Sequence, residues 1–455
     1  MSCINPPQSS VNMSTVSMAW RNIWRSPWRS AVVIGAMALG VWAGIFMMGW
    51  ATGLNDSRTV SMLDDNVGHG RLLSGSFDES QEISAPLPAL PLFLETLSTD
   101  TTVTAFAPRI VIQAMAQSGS GAAPVMIYGI YPNAEQSVFS SARKIPEGRF
   151  LEDLFADEVV IGQELAKRLE VGVDDRLVLT FQDVEGDPHT ALFYVVGLYD
   201  GASNMLEETL LYAPALNMAQ QTGLLDSSAM ASLSGSPPAF PVAHEVCFRV
   251  QDPYAMKPTL ERLSIQDGLR LEQVEQRSTI HSLETLAFIS TPIVIKDWRS
   301  ISPELAYADN VMAQSLLLFM TIILLAMAFG ILNTMLMAIL ERTRELGMLM
   351  AIGMNRRRIF SLIVLETILL SLAGLPIGLL LGHGTLVLTS QTGITFESVE
   401  QGLAEFGMDA TIYPVTVPEF YLPIAALVFV LAFLSALYPA RKALKLNPIE
   451  SMRVL

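Results

Sequence analysis

The sequence predicts an integral membrane α-helical protein: four transmembrane helices, with a large extracytoplasmic mixed α+β domain inserted between helices 1 and 2. Three observations predict it. Four apolar stretches, Ala31–Thr52, Ser315–Leu340, Ile359–Leu388 and Phe420–Leu437, meet or approach the length that spans a bilayer, about 20 residues. Lys and Arg gather in the polar segments on one side of those stretches. The long interval 53–310 alternates short β-branched runs with helical ones. With 51% hydrophobic and 16% charged residues, the chain suits a membrane protein with a sizeable soluble part.

Charge sets the orientation. The segments before the first span, between spans two and three, and after the fourth hold 12 basic residues against Glu341, Glu345 and Glu450. Segment 53–310 holds 16 basic residues against 35 acidic ones, and segment 389–419, after span three, holds five acids and no base. The basic side is therefore expected to be cytoplasmic, with both termini inside. The acidic outer domain argues against nucleic acid as a partner and leaves lipid contact to the spans.

In chain order, residues 1–17 read as a disordered cytoplasmic tail containing Pro6-Pro7. Residues 18–30, MAWRNIWRSPWRS, repeat Trp every four positions with Arg one position round, which predicts an interfacial amphipathic helix. Span one (31–52) is too long for a signal-peptide core and is expected to remain as an anchor. Its Gly40 and Gly44 form a GxxxG step for close helix packing.

The domain 53–310 is expected to be α+β with more than one subdomain and stalk-like ends. Strands are predicted at Arg109–Gln117, Pro124–Ile130, Glu158–Ile161, Arg176–Phe181, Ala191–Leu198, Glu208–Tyr212, Glu245–Val250 and Arg270–Gln273. Helices are predicted at Gln163–Leu169, Ala215–Thr222, Tyr254–Ile265 and Thr279–Ile289. Segments 74–91 and Ser227–Pro241, rich in Pro, Ser and Gly, read as loops.

Span two (311–340) leads into a polar link, 341–358, and span three (359–388) leads out of it. Span three carries Gly374, Gly378 and Gly382, a double GxxxG step for packing within or between subunits. It also carries Glu366. An ionisable group in lipid costs about 2–3 kcal/mol, so Glu366 must face protein or water. It is either a proton or ion site, or a near-interface carboxylate paired with Arg356–Arg358 or a backbone donor. A lone carboxylate makes a poor relay, which favours pairing. An external loop (389–417), span four (418–438) and a cytoplasmic tail (439–455) complete the chain.

Signs of catalysis are lacking. The sequence has no GxxxxGK[ST], HExxH, GxSxG or CxxC motif, and its five histidines are scattered. No catalytic residue, metal site or cofactor is expected in this chain. Cys3 and Cys247 fall on opposite sides of the membrane in this topology, which argues against a disulfide.

The link reads ERTRELGMLMAIGMNRRR, followed by IFSLIVLE. It resembles the signature of the FtsX/MacB/Lol-type ABC transporter permeases: an acid–Arg pair, a short helix, an A-I-G turn, basic residues and a span with a glutamate. The tail YPARKALKLNPIESMR, the helix AWRNIWRSPWRS, and YGIYPNAEQ, IPEGRFL and FYVVGLYDGASNMLEETLLY in the outer domain resemble other parts of the same family. The resemblance implies a mechanotransmission permease, a dimer of four-span subunits with separate P-loop ATPase subunits that bind ATP and magnesium. Carried onto this chain, it puts Glu341, Arg342, Arg344, Glu345, Gly347 and Met348 at the ATPase contact and Ala351, Ile352 and Gly353 in its turn. The spacing of Leu346, Leu349 and Met350 independently gives that helix one apolar face, with Gly353 as its C-cap.

Within the family, four spans with a large inserted domain best match lipoprotein-releasing permeases, which pass lipoproteins to a periplasmic carrier. MacB-like efflux of small molecules or peptides and FtsX-like regulation of a periplasmic hydrolase are the alternatives. Homodimer and heterodimer both remain open, as does a membrane-anchored enzyme of another class.

Overall fold

The computed structural model describes residues 10–25, 27–201, 204–225, 240–263, 293–396 and 411–444. Helix α1 (Ser10–Arg25) starts inside the stretch expected to be disordered. The reason is local: Pro6-Pro7 lie before Ser10, and neither Gly nor Pro interrupts the chain from there to Arg25. Helix α2 (Pro27–Met62) begins on the proline, whose missing N–H costs nothing at a helix start. It runs ten residues past the end of the predicted span, as a stalk would. A π-turn, Leu63–Val67, ends it, closed by Gly68 at φ 72°.

The inserted domain follows. Its elements are β1 (Gly70–Ser74), α3 (Gly75–Ser80), α4 (Leu90–Thr99), β2 (Val103–Gln117), β3 (Ala122–Ile130), α5 (Pro132–Val138) and β4 (Glu147–Gly148). Then come β5 (Glu158–Gly162), α6 (Gln163–Leu169), β6 (Arg176–Gln182), β7 (Pro188–Tyr199), α7 (Asn204–Thr209), β8 (Leu210–Pro214), α8 (Ala215–Gln221) and β9 (Glu245–Val250). A helical stretch at 256–263 precedes β10 (Ile293–Asp297) and α9 (Trp298–Ile301).

The strands form one sheet, ordered β10-β1-β9-β2-β3-β8-β5-β7-β4, with β6 pairing β2 and β7. The β3–β8 and β5–β7 pairs are parallel and the rest antiparallel, so the domain is mixed α/β. The sheet runs unbroken from β10 to β4. Long β2 is the reason. Its first half pairs β9, its second half pairs β6, and its other edge pairs β3, so no boundary opens between the two ends of the sheet.

Segment 74–91 is not all loop. Ser74 caps α3 by accepting from the Phe77 N–H at 3.2 Å, and Pro91 falls in the first turn of α4, where proline starts helices. Glu208 and Thr209, expected to begin a strand, end α7, and β8 starts at Leu210. The predicted strand Arg270–Gln273 and helix Thr279–Ile289, and most of the Ser227–Pro241 loop, lie outside the described residues.

The π-turn LDDNV is tied to other parts of this domain by charged side chains. Asp64 pairs with Arg249 of β9 at 2.5 Å and Asp65 with Lys144 at 2.8 Å. The Asn66 carbonyl accepts from Arg109 of β2 at 3.1 Å. Arg109 is wholly buried, paired with equally buried Glu135 at 2.5 Å and stacked 3.8 Å over the Phe139 ring. Leu63 and Val67 pack with Trp298 and Leu305, so the chain entering the domain and the chain leaving it share one apolar cluster.

The second unit comprises Met1–Asn55, Asp309–Thr395 and Thr411–Leu455. It holds most of α2, α10 (Pro303–Glu341), α11 (Thr343–Ala351), α12 (Arg356–Thr392), the short hairpin of β11 (Ile394–Thr395) and β12 (Thr411–Ile412), and α13 (Tyr421–Ala443). Four of its helices are long and apolar enough to cross a membrane. Asn55 of α2 donates to Asp309 of α10 at 2.8 Å, linking the two long helices. An apolar core including Met37, Val41, Leu324, Met327, Ile363 and Val428 joins the spans.

Two stability predictions follow from the inserted domain. Arg109→Met leaves the Glu135 carboxylate buried without its cation and is expected to cost about 3–5 kcal/mol. The double variant Arg109→Met, Glu135→Leu should recover most of that loss in denaturant unfolding. Separately, burial pushes the Glu207 carboxyl up to about 7 against opposing hydrogen bonds from the Gly201 and Glu164 N–H groups. A carboxyl raised on folding contributes stability that is present below its unfolded pKa and lost as pH rises through the folded one. Protection of β8 against hydrogen exchange should therefore fall between pH 4.5 and 7, and Glu207→Gln should flatten that fall.

Candidate functional site

The link between the second and third spans forms the short helix α11. Leu346 and Gly347 are buried, while Arg344, Met348, Ala351 and Ile352 line an exposed stripe, Ile352 at 85%. An isoleucine so open, beside an exposed methionine and an arginine, is a surface suited to a protein partner.

The end of α11 is sharply defined. The Gly353 N–H donates to the Met350 carbonyl at 3.1 Å and the Met354 N–H to that of Leu349 at 3.0 Å. This is a Schellman turn, and it holds Gly353 at φ 100°. Asn355 then caps α12 by accepting from the Arg357 N–H at 3.1 Å. Arg356–Arg358 therefore belong to the first turn of α12 rather than to the link.

A line of alternating charges crosses the site. Arg25 of α1 meets Glu345 of α11 at 3.1 Å. The other oxygen of Glu345 accepts from Arg342 Nε at 3.0 Å, and Arg342 Nη1 reaches Glu366 of α12 at 3.4 Å. The expected pairing of Glu366 with Arg356–Arg358 is thus replaced by Arg342. Those three arginines lie two to three turns away along the same helix, Arg356 by about 15 Å of rise. Arg342, between α10 and α11, is free of that constraint. The Arg25 end is more exposed than the Glu366 end, so screening by water weakens it most. Behind the charges lies a cleft of about 390 Å³, lined by Met18, Met335, Ile339, Leu349 and Leu362.

The residues read as one contact from sequence therefore divide. Glu341 ends α10 at the surface, and Arg344, Met348, Ala351, Ile352 and Gly353 are exposed. Arg342 and Glu345 are half-buried in the charge line, and Gly347 is buried. Sequence reasoning missed the role of Arg25, although its place on the basic stripe of α1 could have suggested it.

The glycines lie at helix contacts. A Cβ on Gly374, Gly378 or Gly382 would come within 2.7, 2.6 and 2.9 Å of the Cβ atoms of Met37, Val41 and Ile45, so α12 receives α2 within the same subunit. Gly40 and Gly44 instead face the flexible Met327 and Met320 side chains of α10. A further GxxxG step, Gly49 to Gly53, carries the segment before α13. Val415 N–H donates to the Gly49 carbonyl at 3.0 Å, and the Tyr413 carbonyl sits where a Gly53 side chain would be.

Among the described residues, His, Cys, Asp and Glu side chains do not gather in threes that could hold a metal. The arrangement is that of a membrane protein whose two long helices carry an inserted domain and whose short link helix is tied by ion pairs to its neighbours. Residues 30–264 match the MacB-like periplasmic core domain, just over half of the chain, and residues 317–448 match the FtsX-like permease C-terminal family. The chain belongs to the ABC transporter permeases of the MacB/LolC/FtsX type.

Among relatives, it is 30% identical over 164 residues to the macrolide export ATP-binding/permease protein MacB of Syntrophobacter fumaroxidans, covering 35% of this chain and 20% of that one. It is 22% identical to the lipoprotein-releasing system transmembrane protein LolC of Xylella fastidiosa over 372 residues, covering 78% of this chain and 79% of that one. The periplasmic region of MacB from Actinobacillus actinomycetemcomitans aligns with 52% of this chain and 92% of its own, at 13% identity and a TM-score of 0.31.

Gly353→Ala places a side chain in open space but in a left-handed backbone, a cost of about 1–2 kcal/mol. Together with Arg342→Ala, which removes the charge from the middle of the line, it is expected to loosen α11. Hydrogen exchange of residues 343–351 should quicken in both variants while that of β2 stays unchanged.

Proposed function

We propose that this chain is the permease subunit of a mechanotransmission machine in a bacterial inner membrane, with both termini and α11 in the cytoplasm. A separate ATPase, carrying ATP and magnesium, docks on the exposed Arg344–Met348–Ile352 face of α11. The line Arg25–Glu345–Arg342–Glu366 passes its motion to α1 and α12, and α2 and α10 carry it to the inserted domain in the periplasm. In this reading Glu341, Arg344, Met348, Ala351 and Ile352 touch the ATPase, Arg342 and Glu345 transmit, and Gly347 and Gly353 shape the helix and its turn. The ion-pair line is the observation that carries the reading: it connects the only helix in the link to two others through charges, which resist being pulled apart at the edge of an apolar layer.

The substrate class we favour is the lipoprotein, extracted from the outer leaflet and passed to a periplasmic carrier. The similarity to LolC supports it by running over most of both chains, whereas that to MacB covers a fifth of the relative's length. The MacB-like core favours a second reading, efflux of small molecules or peptides from the periplasm.

Depletion of the chain should strand outer-membrane lipoproteins in the inner membrane. Unchanged sorting, with macrolide susceptibility raised instead, would select the efflux reading. Glu345→Arg should leave membrane insertion and ATP hydrolysis intact while abolishing substrate release. Normal release by that variant would remove α11 from the transmission route.

A further inference from the structure

The cleft beside the link helix has walls from four helices. Met18 and Asn22 of α1, Met335 and Ile339 of α10, Leu349 of α11 and Leu362 of α12 line it, and its volume is about 390 Å³. Pockets that hold one small ligand span about 300–1,000 Å³. The α10 wall is the last two turns of that helix and the α12 wall is near its start, so the cleft lies where two spans meet the polar link. Its apolar lining is shared with the charge line of Arg25, Glu345, Arg342 and Glu366.

Those four charges are not equally engaged. Glu366 is 14% exposed and Arg25 is 68% exposed. Both acids are held by Arg342, whereas Arg25 meets one oxygen of a carboxylate that Arg342 also holds. The Arg25 guanidinium therefore keeps N–H donors for a second anion. Helix α1 adds to the attraction, since Ser10–Arg25 contains Arg21 and Arg25 and no acidic residue. Arg21 is exposed one turn before Arg25 on the same side of the helix. Trp20 and Trp24, 49% and 65% exposed, are rings of the kind that settle at a membrane surface.

We propose that this cleft binds a phospholipid of net negative charge from the adjoining leaflet, of the phosphatidylglycerol kind. One acyl chain enters between α1, α10 and α12 beside α11, and the headgroup phosphate lies on Arg25 with Arg21 next to it. A lipid tail gains nothing by passing from one apolar medium to another. The gain comes instead from dispersion contacts with the walls of the cleft and from charge-assisted hydrogen bonds between phosphate and guanidinium. A zwitterionic headgroup brings its own cation against the arginines, and a free phosphate lacks the tail. A cationic amphiphile has to displace an arginine from Glu345 or Glu366. The bound chain braces the apolar face of α11, which makes the lipid part of the support of the link helix. This inference rests on the reading that α1 and α11 lie at a membrane surface, and it holds whichever substrate the machine handles.

The test uses the full chain purified in detergent, without ATPase. Phosphatidylglycerol, phosphatidylcholine or glycerol phosphate is titrated in, and native mass spectrometry reads what is retained. A single phosphatidylglycerol should be held in preference to the other two. Arg25→Gln should weaken its retention about 5-fold, the effect of one arginine at an anionic headgroup. Met18→Trp, which narrows the cleft from a half-exposed position, should weaken it at least as much. Arg358→Gln, exposed in the first turn of α12 and outside the cleft, should not. Phosphatidylglycerol with a photoreactive group at the end of an acyl chain should label α10 near Met335 or α12 near Leu362. Equal retention of phosphatidylcholine, displacement of the lipid by glycerol phosphate, undiminished retention by Arg25→Gln or by Met18→Trp, an equal loss in Arg358→Gln, or label confined to other surfaces would each overturn the proposal. Retention is read without ATP or substrate, so it fails separately from lipoprotein sorting and from the Glu345→Arg assay.

Discussion

A carboxylate at the edge of an apolar layer has to be answered by a cation, and in this protein the answer determines how the link helix is held. Glu366 sits on α12 with its side chain mostly covered, and Arg342 reaches it from the end of α10. Because Arg342 also holds Glu345, α11 cannot leave its place without breaking a partly buried pair. Glu345 then extends the hold to Arg25 on α1. A helix of nine residues, too short to be stable alone in water, is thereby fixed by tertiary contacts at its start and by a glycine turn at its end.

The same principle recurs inside the inserted domain. The turn Leu63–Val67 carries two aspartates, and their cations come from separated parts of the domain, Arg249 on β9 and Lys144 near α5. Buried Arg109 adds a bond to the backbone of that turn and is itself neutralised by Glu135. Charge makes this joint directional in a way that apolar packing is not, since each ion pair has one partner and one geometry. The apolar cluster of Leu63, Val67, Trp298 and Leu305 supplies the bulk of the contact, and the ions fix its orientation.

Much of this was legible in the sequence for physical reasons that can be named. Spans are visible because hydrocarbon tolerates few polar residues over such lengths, and α6, β6 and β9 because their patterns are local. What stayed hidden depends on residues far apart in the chain. Strands β1 and β10 have five residues each and are strands only because they pair with one another and with β9. Glu366 was visible as a problem, but its partner lies 24 residues away, beyond a turn whose geometry the spacing alone does not give.

The seam between α2 and α12 has a mechanical consequence. Three knobs, Met37, Val41 and Ile45, sit over three gaps, Gly374, Gly378 and Gly382, and both rows repeat every four residues. A displacement of α2 along α12 by one repeat, about 6 Å, brings two of the three knobs to the next gap and sets the third against Leu370 or Leu386. Any smaller displacement drives a side chain against the walls between gaps. The seam is therefore a detent: it passes force without creep, and it yields, when it yields, by a whole notch.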